Sequence, residues 1–151
     1  MRAVVTTLLT ILLAVGCGSD GPTGPETPGP ANGTMSARID GTQWTASTIT
    51  PGITGGISAI GGSDGTRTLA FAWVEAGTGT YQIGTAVGFN GNLTIAGGIW
   101  VANGSAGDGT LVVTTRTSDR IAGTFSFVMT AGSGGASGTR TVSQGTFDIT
   151  F

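Results

Sequence analysis

The chain has 151 residues, of which 29 are glycine and 27 threonine, and only eight acidic and six basic side chains; it contains no histidine, no lysine and a single cysteine. A formal charge of −2 speaks against a nucleic-acid partner, since phosphate backbones are held by cationic surfaces. Without histidine or lysine there is no Ser–His or Cys–His nucleophile pair and no lysine base, and zinc loses its usual ligands.

Arg2 gives a short positive start, and Ala3 to Val15 follow without a charge, the length and polarity of a secretory leader core. A membrane-spanning helix needs about 20 apolar residues, so this run is too short to be one. It ends in Ala14, Val15, Gly16 and Cys17. An unpaired cysteine in a secreted chain calls for a special role. The four-residue segment resembles the lipobox of bacterial lipoproteins, with Ala14 where the commonest form has Leu. The resemblance implies that residues 1–16 are a signal peptide and that Cys17 becomes the acylated first residue of the mature chain, with the membrane as its partner through that anchor. Several acyl chains are sufficient for stable attachment where one is marginal. The next residue is Gly18 rather than the Asp that marks inner-membrane retention in the resembled family, which implies outer-membrane sorting within the cell envelope, periplasmic or surface-exposed.

Residues 17–34 read as the lipidated cysteine and a flexible tether. Four of the five prolines fall here and no large apolar side chain does, so the segment buries too little surface to offset its ordering entropy. Residues 35–151 are of single-domain size. Glycine and threonine are both poor helix formers, and alternation of period two recurs along the domain. The expected fold is therefore all-β, an antiparallel β-sandwich or alternatively a β-barrel.

Met35, Ala37 and Ile39 share one face of a first strand, Asp40-Gly41 makes a hairpin turn, and Gln43 to Thr50 runs back until Pro51-Gly52 ends it. A weaker strand covers Ile53 to Ile60. In the stretch from Arg67 to Val74, Leu69, Phe71 and Trp73 point to the core. Residues 79–84 and 85–90 are two short strand candidates, and Asn90-Gly91 turns into a strand written "NLTIAGGIWVA". On that reading Leu93, Ile95, Ile99 and Val101 face inward and Trp100 outward, over a floor of small residues, as a candidate binding side chain for a sugar or a partner protein. Thr110 to Thr117 is strongly β-branched, Ser118 to Arg120 is a tight connection, and Ile121, Phe125, Phe127 and Met129 alternate inward. After a glycine-rich loop the last strand places Phe147, Ile149 and Phe151 on one face and Val142 on the other, which requires a bulge near Gly145. The core expected from these patterns comprises Ile39, Leu69, Phe71, Trp73, Ile121, Phe125, Phe127, Phe147 and Ile149.

The stretches Ala37 to Trp44, Asp119 to Phe127 and Gly145 to Ile149 are similar to the "A-x-I-D-G-x-x-W", "D-R-I-x-G-T-F-S-F" and "G-T-F-D-I" of small, uncharacterised all-β domains that follow bacterial lipoprotein signals. That group brings no chemistry with it. A carboxylate pair is the one ordinary acid–base device left, but Asp40, Asp64 and Asp108 each precede glycine, Asp119 sits in a turn, Asp148 alternates outward and Glu75 ends a strand, all places that turn or surface chemistry explains. "GGSDGT" and "NGSAGDGT" offer one carboxylate each, too few for calcium. Neither catalytic residues, nor a metal site, nor a cofactor is expected. Two functions remain: a non-catalytic structural or protein-interaction domain anchored at the envelope, or a module that binds glycan or another polymer.

Overall fold

The structure, a computed structural model, describes residues 32–74, 77–86 and 88–151; the leader, Cys17 and most of the tether lie outside them. Eleven strands are formed: β1 (Asn32–Ile39), β2 (Thr42–Thr45), β3 (Thr48–Thr54), β4 (Ile57–Ser63), β5 (Arg67–Val74), β6 (Gly79–Gln82), β7 (Asn90–Ile95), β8 (Gly98–Ala102), β9 (Asp108–Arg116), β10 (Arg120–Ser133) and β11 (Thr139–Thr150). All pair antiparallel, in the order β2-β1-β11-β10-β8-β7-β5-β4-β3.

One long strand explains how a single sheet makes two layers. β10 pairs with β9 from Ile121 to Val128 and then with β8 from Thr130 to Ser133, so it leaves one layer and enters the other. The layer β6-β9-β10-β11-β1-β2 thus continues into β8-β7-β5-β4-β3, and the sheet curls into a half-barrel. Two of its end strands, β2 and β3, are consecutive in sequence, joined at Ala46-Ser47. There the Ala46 amide donates to the Met35 carbonyl and the Ser47 amide to that of Ser63.

The curl is filled by the aromatic residues that alternation assigns to the interior, and all nine expected core residues are buried. Phe71 is the hub, with its ring centroid 5.0 Å from Phe125, 5.7 Å from Phe127 and 5.9 Å from both Trp73 and Phe147. These separations suit tilted and edge-to-face contact.

The Asp40-Gly41 hairpin forms as expected, with φ of 49° and 78°. So does the bulge before Gly145: Phe125 pairs with Gly145 but Phe127 with Val142, which leaves one extra residue on β11. Gln144 takes φ 51° there. Its neighbour Gly145 has no alternative, because a Cβ would fall on the Phe125 ring and carbonyl.

Several boundaries differ from expectation. Asn32 to Thr34, assigned to the tether, pair with Thr150, Ile149 and Asp148 as the start of β1. The second expected strand is two strands, broken at Ala46-Ser47. Pro51 does not end β3 but lies inside it; β3 is an edge strand, where a missing N–H is tolerated. Asn90-Gly91 opens β7 rather than turning, and residues 83–86 form a turn in place of the expected 85–90 strand.

The largest correction concerns "NLTIAGGIWVA". It is a hairpin, β7 and β8, with Ile95 facing Gly98 across a two-residue turn at Ala96-Gly97. The turn has φ of 49° and 84°, the conformation that asparagine followed by glycine adopts most easily. Alanine pays about 1–2 kcal/mol in that region. Ala96→Asn is therefore expected to raise stability by up to about 1 kcal/mol, read as a higher urea midpoint; a lower midpoint contradicts the turn assignment.

Candidate functional site

The turn at Ala96-Gly97 changes which way Trp100 points. Counting by twos through a single strand sets it opposite Leu93, but the hairpin pairs the two directly, and both are buried. Trp100 is 5% exposed. Its indole N–H donates to the Ser137 carbonyl at 3.2 Å, and the Arg140 guanidinium lies 4.7 Å from the ring centroid. Gly98 approaches the ring so closely that a Cβ there would collide with it. Trp100 is thus a core residue beneath the loop between β10 and β11, and no ring face is open to stack on a sugar.

Four acidic side chains, Asp40, Asp64, Asp119 and Asp148, are engaged in local structure. Asp40 accepts from Arg140 at 2.8 Å and from the Thr141 amide at 2.9 Å. Asp148 takes a two-pronged bond from Arg120, at 2.8 and 2.7 Å, and Asp119 accepts from the Thr117 hydroxyl. Asp64 closes the turn before β5: one oxygen accepts from the Thr66 amide, the Thr66 hydroxyl and the Arg67 amide, and the other from the Arg67 guanidinium. The other glycine-rich segment is closed likewise by Asn103, whose side-chain oxygen accepts from the Ser105 and Ala106 amides. Among the described residues no group of three His, Cys, Asp or Glu side chains is placed to hold a metal.

Asp64 is the strongest of these anchors. Burial acts to raise its pKa, but the Arg67 and Thr66 amides, the Thr66 hydroxyl and the Arg67 guanidinium outweigh it, and the carboxyl is held well below its ordinary 3.8. A depressed native pKa contributes stability that is present above the unfolded value and lost as pH falls through the native one. Asp64→Asn is therefore expected to lower stability most near neutrality. The gap to the unaltered protein should narrow between about pH 5 and about pH 2 in urea unfolding, and a gap independent of pH contradicts this role.

What sequence reading does not reveal is how outward positions line up across strands. Thr80 pairs with Val112, Val112 with Thr124, Thr124 with Thr146, Thr146 with Ser36, and Ser36 with Thr45. This rank crosses six strands, about 24 Å at ~4.8 Å per strand pair, and five of its six members carry a hydroxyl. Beside it runs a second rank, Gln82, Thr110 and Ser126, then the bulge with Ser143 and Gln144, then Arg38 and Gln43. The bulge opens the surface on both of its sides. Two depressions, of about 330 and 410 Å³, share Thr110 and Ser126. Phe127, Val128 and Val142 contribute to the first and Val112, Phe125 and Gly145 to the second. Arg38 is steered by the bulge, donating from Nε to Gln144 Oε1 at 3.0 Å and from Nη1 to the Gly41 carbonyl at 2.9 Å.

Residues 31–149 match the family model for a domain of unknown function, DUF6252. The chain belongs to this family. No curated protein and no solved structure matches it. Within the DUF6252 domain, the three stretches singled out in the sequence fall on neighbouring strands: Ala37 to Trp44 forms the β1–β2 hairpin, Gly145 to Ile149 lies on β11 beside β1, and Asp119 to Phe127 leads into and through β10 beside β11. The last two meet where Phe125 packs over Gly145 and where Phe147 is 6.3 Å from Phe125, centroid to centroid.

Proposed function

We propose that this protein is a lipid-anchored lipoprotein of the bacterial cell envelope, sorted to the outer membrane, whose DUF6252 domain is displayed on a tether as a non-catalytic interaction module. The observation that carries the reading is the segment Ala14 to Cys17, a small-residue boundary that places the only cysteine at the end of an uncharged run. The organisation of the chain supports it. The described sheet begins at Asn32, and residues 18–31 before it, rich in proline and glycine, would hold the domain within about 45 Å of its anchor if extended.

The non-catalytic part rests on how the charged groups are used: Asp40, Asp64 and Asp148 are each bound to an arginine, and Asp119 closes a turn. Detergent phase partition of the full-length protein expressed in a bacterium tests the anchor. The mature protein should enter the detergent-rich phase. Recovery in the aqueous phase contradicts the reading.

A further inference from the structure

We infer that the outer face of the layer β6-β9-β10-β11-β1-β2 is a binding surface for a neutral polysaccharide, centred on the bulge at Ser143-Gln144. It carries the interaction role proposed above but does not depend on the anchor at Cys17.

The argument starts from the chemistry of the two ranks. Side-chain hydroxyls donate and accept equally, as do the hydroxyls of a sugar. Thr80, Thr124, Thr146, Ser36 and Thr45 present them along one line, and Thr110 and Ser126 along the next. Amides supply a donor and an acceptor side by side, the spacing that adjacent sugar hydroxyls present in return. Gln82 and Gln43 place one at each end of the second rank and Gln144 a third at the bulge; the Gln144 oxygen accepts from Arg38 and the Gln43 nitrogen donates to the Trp44 carbonyl at 3.3 Å, so these two amides meet a sugar chiefly through the Gln144 nitrogen and the Gln43 oxygen. Sugar rings also carry C–H faces that need apolar contact. Val112 and Val128 stand among the polar groups to provide it, and Val128 is 46% exposed.

Charge complementarity selects among polymers. Across both ranks the only ionised side chain is Arg38, and its guanidinium is already directed at Gln144 and the Gly41 carbonyl. Asp108, at the rim of the first depression, carries the opposite sign. An anionic polymer finds no cationic stripe here, and a cationic one no anionic stripe. A length of about 24 Å suits a chain of several sugar units better than a single small molecule.

Backbone geometry points to the same place. Gln144 is one of three described non-glycine residues with positive φ; the other two, Asp40 and Ala96, sit in tight hairpin turns. Bulges re-aim side chains and recur beside functional sites. Here the bulge turns Gln144 toward Arg38 between the two depressions.

The experiment is retention of the purified full-length chain on three insoluble neutral polymers, cellulose, chitin and starch granules, beside an anionic polygalacturonate gel. Retention on at least one neutral polymer and not on the anionic gel is expected. Thr110→Val with Thr124→Val removes two hydroxyls at nearly constant shape in residues that favour strands. That pair should cut the retained fraction at least tenfold, as should Gln144→Asn, which keeps a residue tolerant of positive φ but withdraws the amide. An unchanged urea midpoint in these variants separates lost binding from lost folding. Cys17→Ser should bind as the unaltered chain does, so a failed anchor and a failed surface give different results. No retention on any neutral polymer, retention on the anionic gel instead, or retention indifferent to both sets of substitutions overturns the inference.

Discussion

Truncating Phe125 to alanine is expected to lower the unfolding free energy by about 3–5 kcal/mol, a large part of the roughly 5–15 kcal/mol that holds a domain together. Phe125 is 3% exposed, and its ring packs against Phe71, Phe127 and Phe147. It also lies over Gly145, where the absence of a side chain lets the ring sit against the β11 backbone. Removal therefore forfeits the burial of an aromatic ring and opens a cavity that the surrounding rings and the bulge are too constrained to fill. Val128, three residues along β10 and exposed, is the comparison: Val128→Ala should change stability by no more than about 0.5 kcal/mol. Urea unfolding of both variants reads the difference directly. A loss below about 1 kcal/mol for Phe125→Ala contradicts the placement of the half-barrel's core.

The contrast between those two side chains shows what was legible in the sequence. Alternation placed Ile121, Phe125, Phe127 and Met129 inward correctly, because a side-chain period of two leaves no other way to bury one face; Ala122, on the outward parity, is buried as well, beside the register shift between β9 and β10. The β11 bulge was equally legible, since Val142 and Phe147 cannot share a face without an extra residue between them. Alternation failed at Trp100 because Ala96-Gly97 lacks the usual asparagine or aspartate of a tight hairpin turn, and an unrecognised turn reverses the parity of everything after it. The single-sheet topology was not legible. Nothing in the residues of β10 marks Val128 to Thr130 as the place where its partner changes from β9 to β8. The ranks of outward hydroxyls were hidden for a related reason: Ser36, Thr124 and Thr146 are brought into line by pairing between distant segments, and no spacing along the chain records it.

Substituting Cys17 by serine is expected to have the largest effect on where the protein is found. On the lipoprotein reading proposed above, a serine hydroxyl could not form the thioether that would carry the anchoring diacylglyceryl group, and the variant would lack its acyl chains together. With them goes ~0.8 kcal/mol of membrane affinity for every buried methylene. Among the described residues of the DUF6252 domain, the large exposed apolar side chains are Ile53, Ile57, Val74 and Val128. In fractionated cells the unaltered protein should sediment with membranes. Cys17→Ser should leave that fraction, as unprocessed precursor where the leader is retained or as soluble protein where it is cut. Sedimentation of the processed variant to the same extent as the unaltered chain contradicts the assignment of the anchor.

The most direct test of the lipoprotein reading is the intact mass of the protein extracted from bacterial membranes with detergent. The expected mass is that of a chain starting at Cys17, increased by a diacylglyceryl group on sulfur and an acyl group on the new N-terminus. A mass that fits a chain starting anywhere else, or one starting at Cys17 with a free thiol, would contradict it.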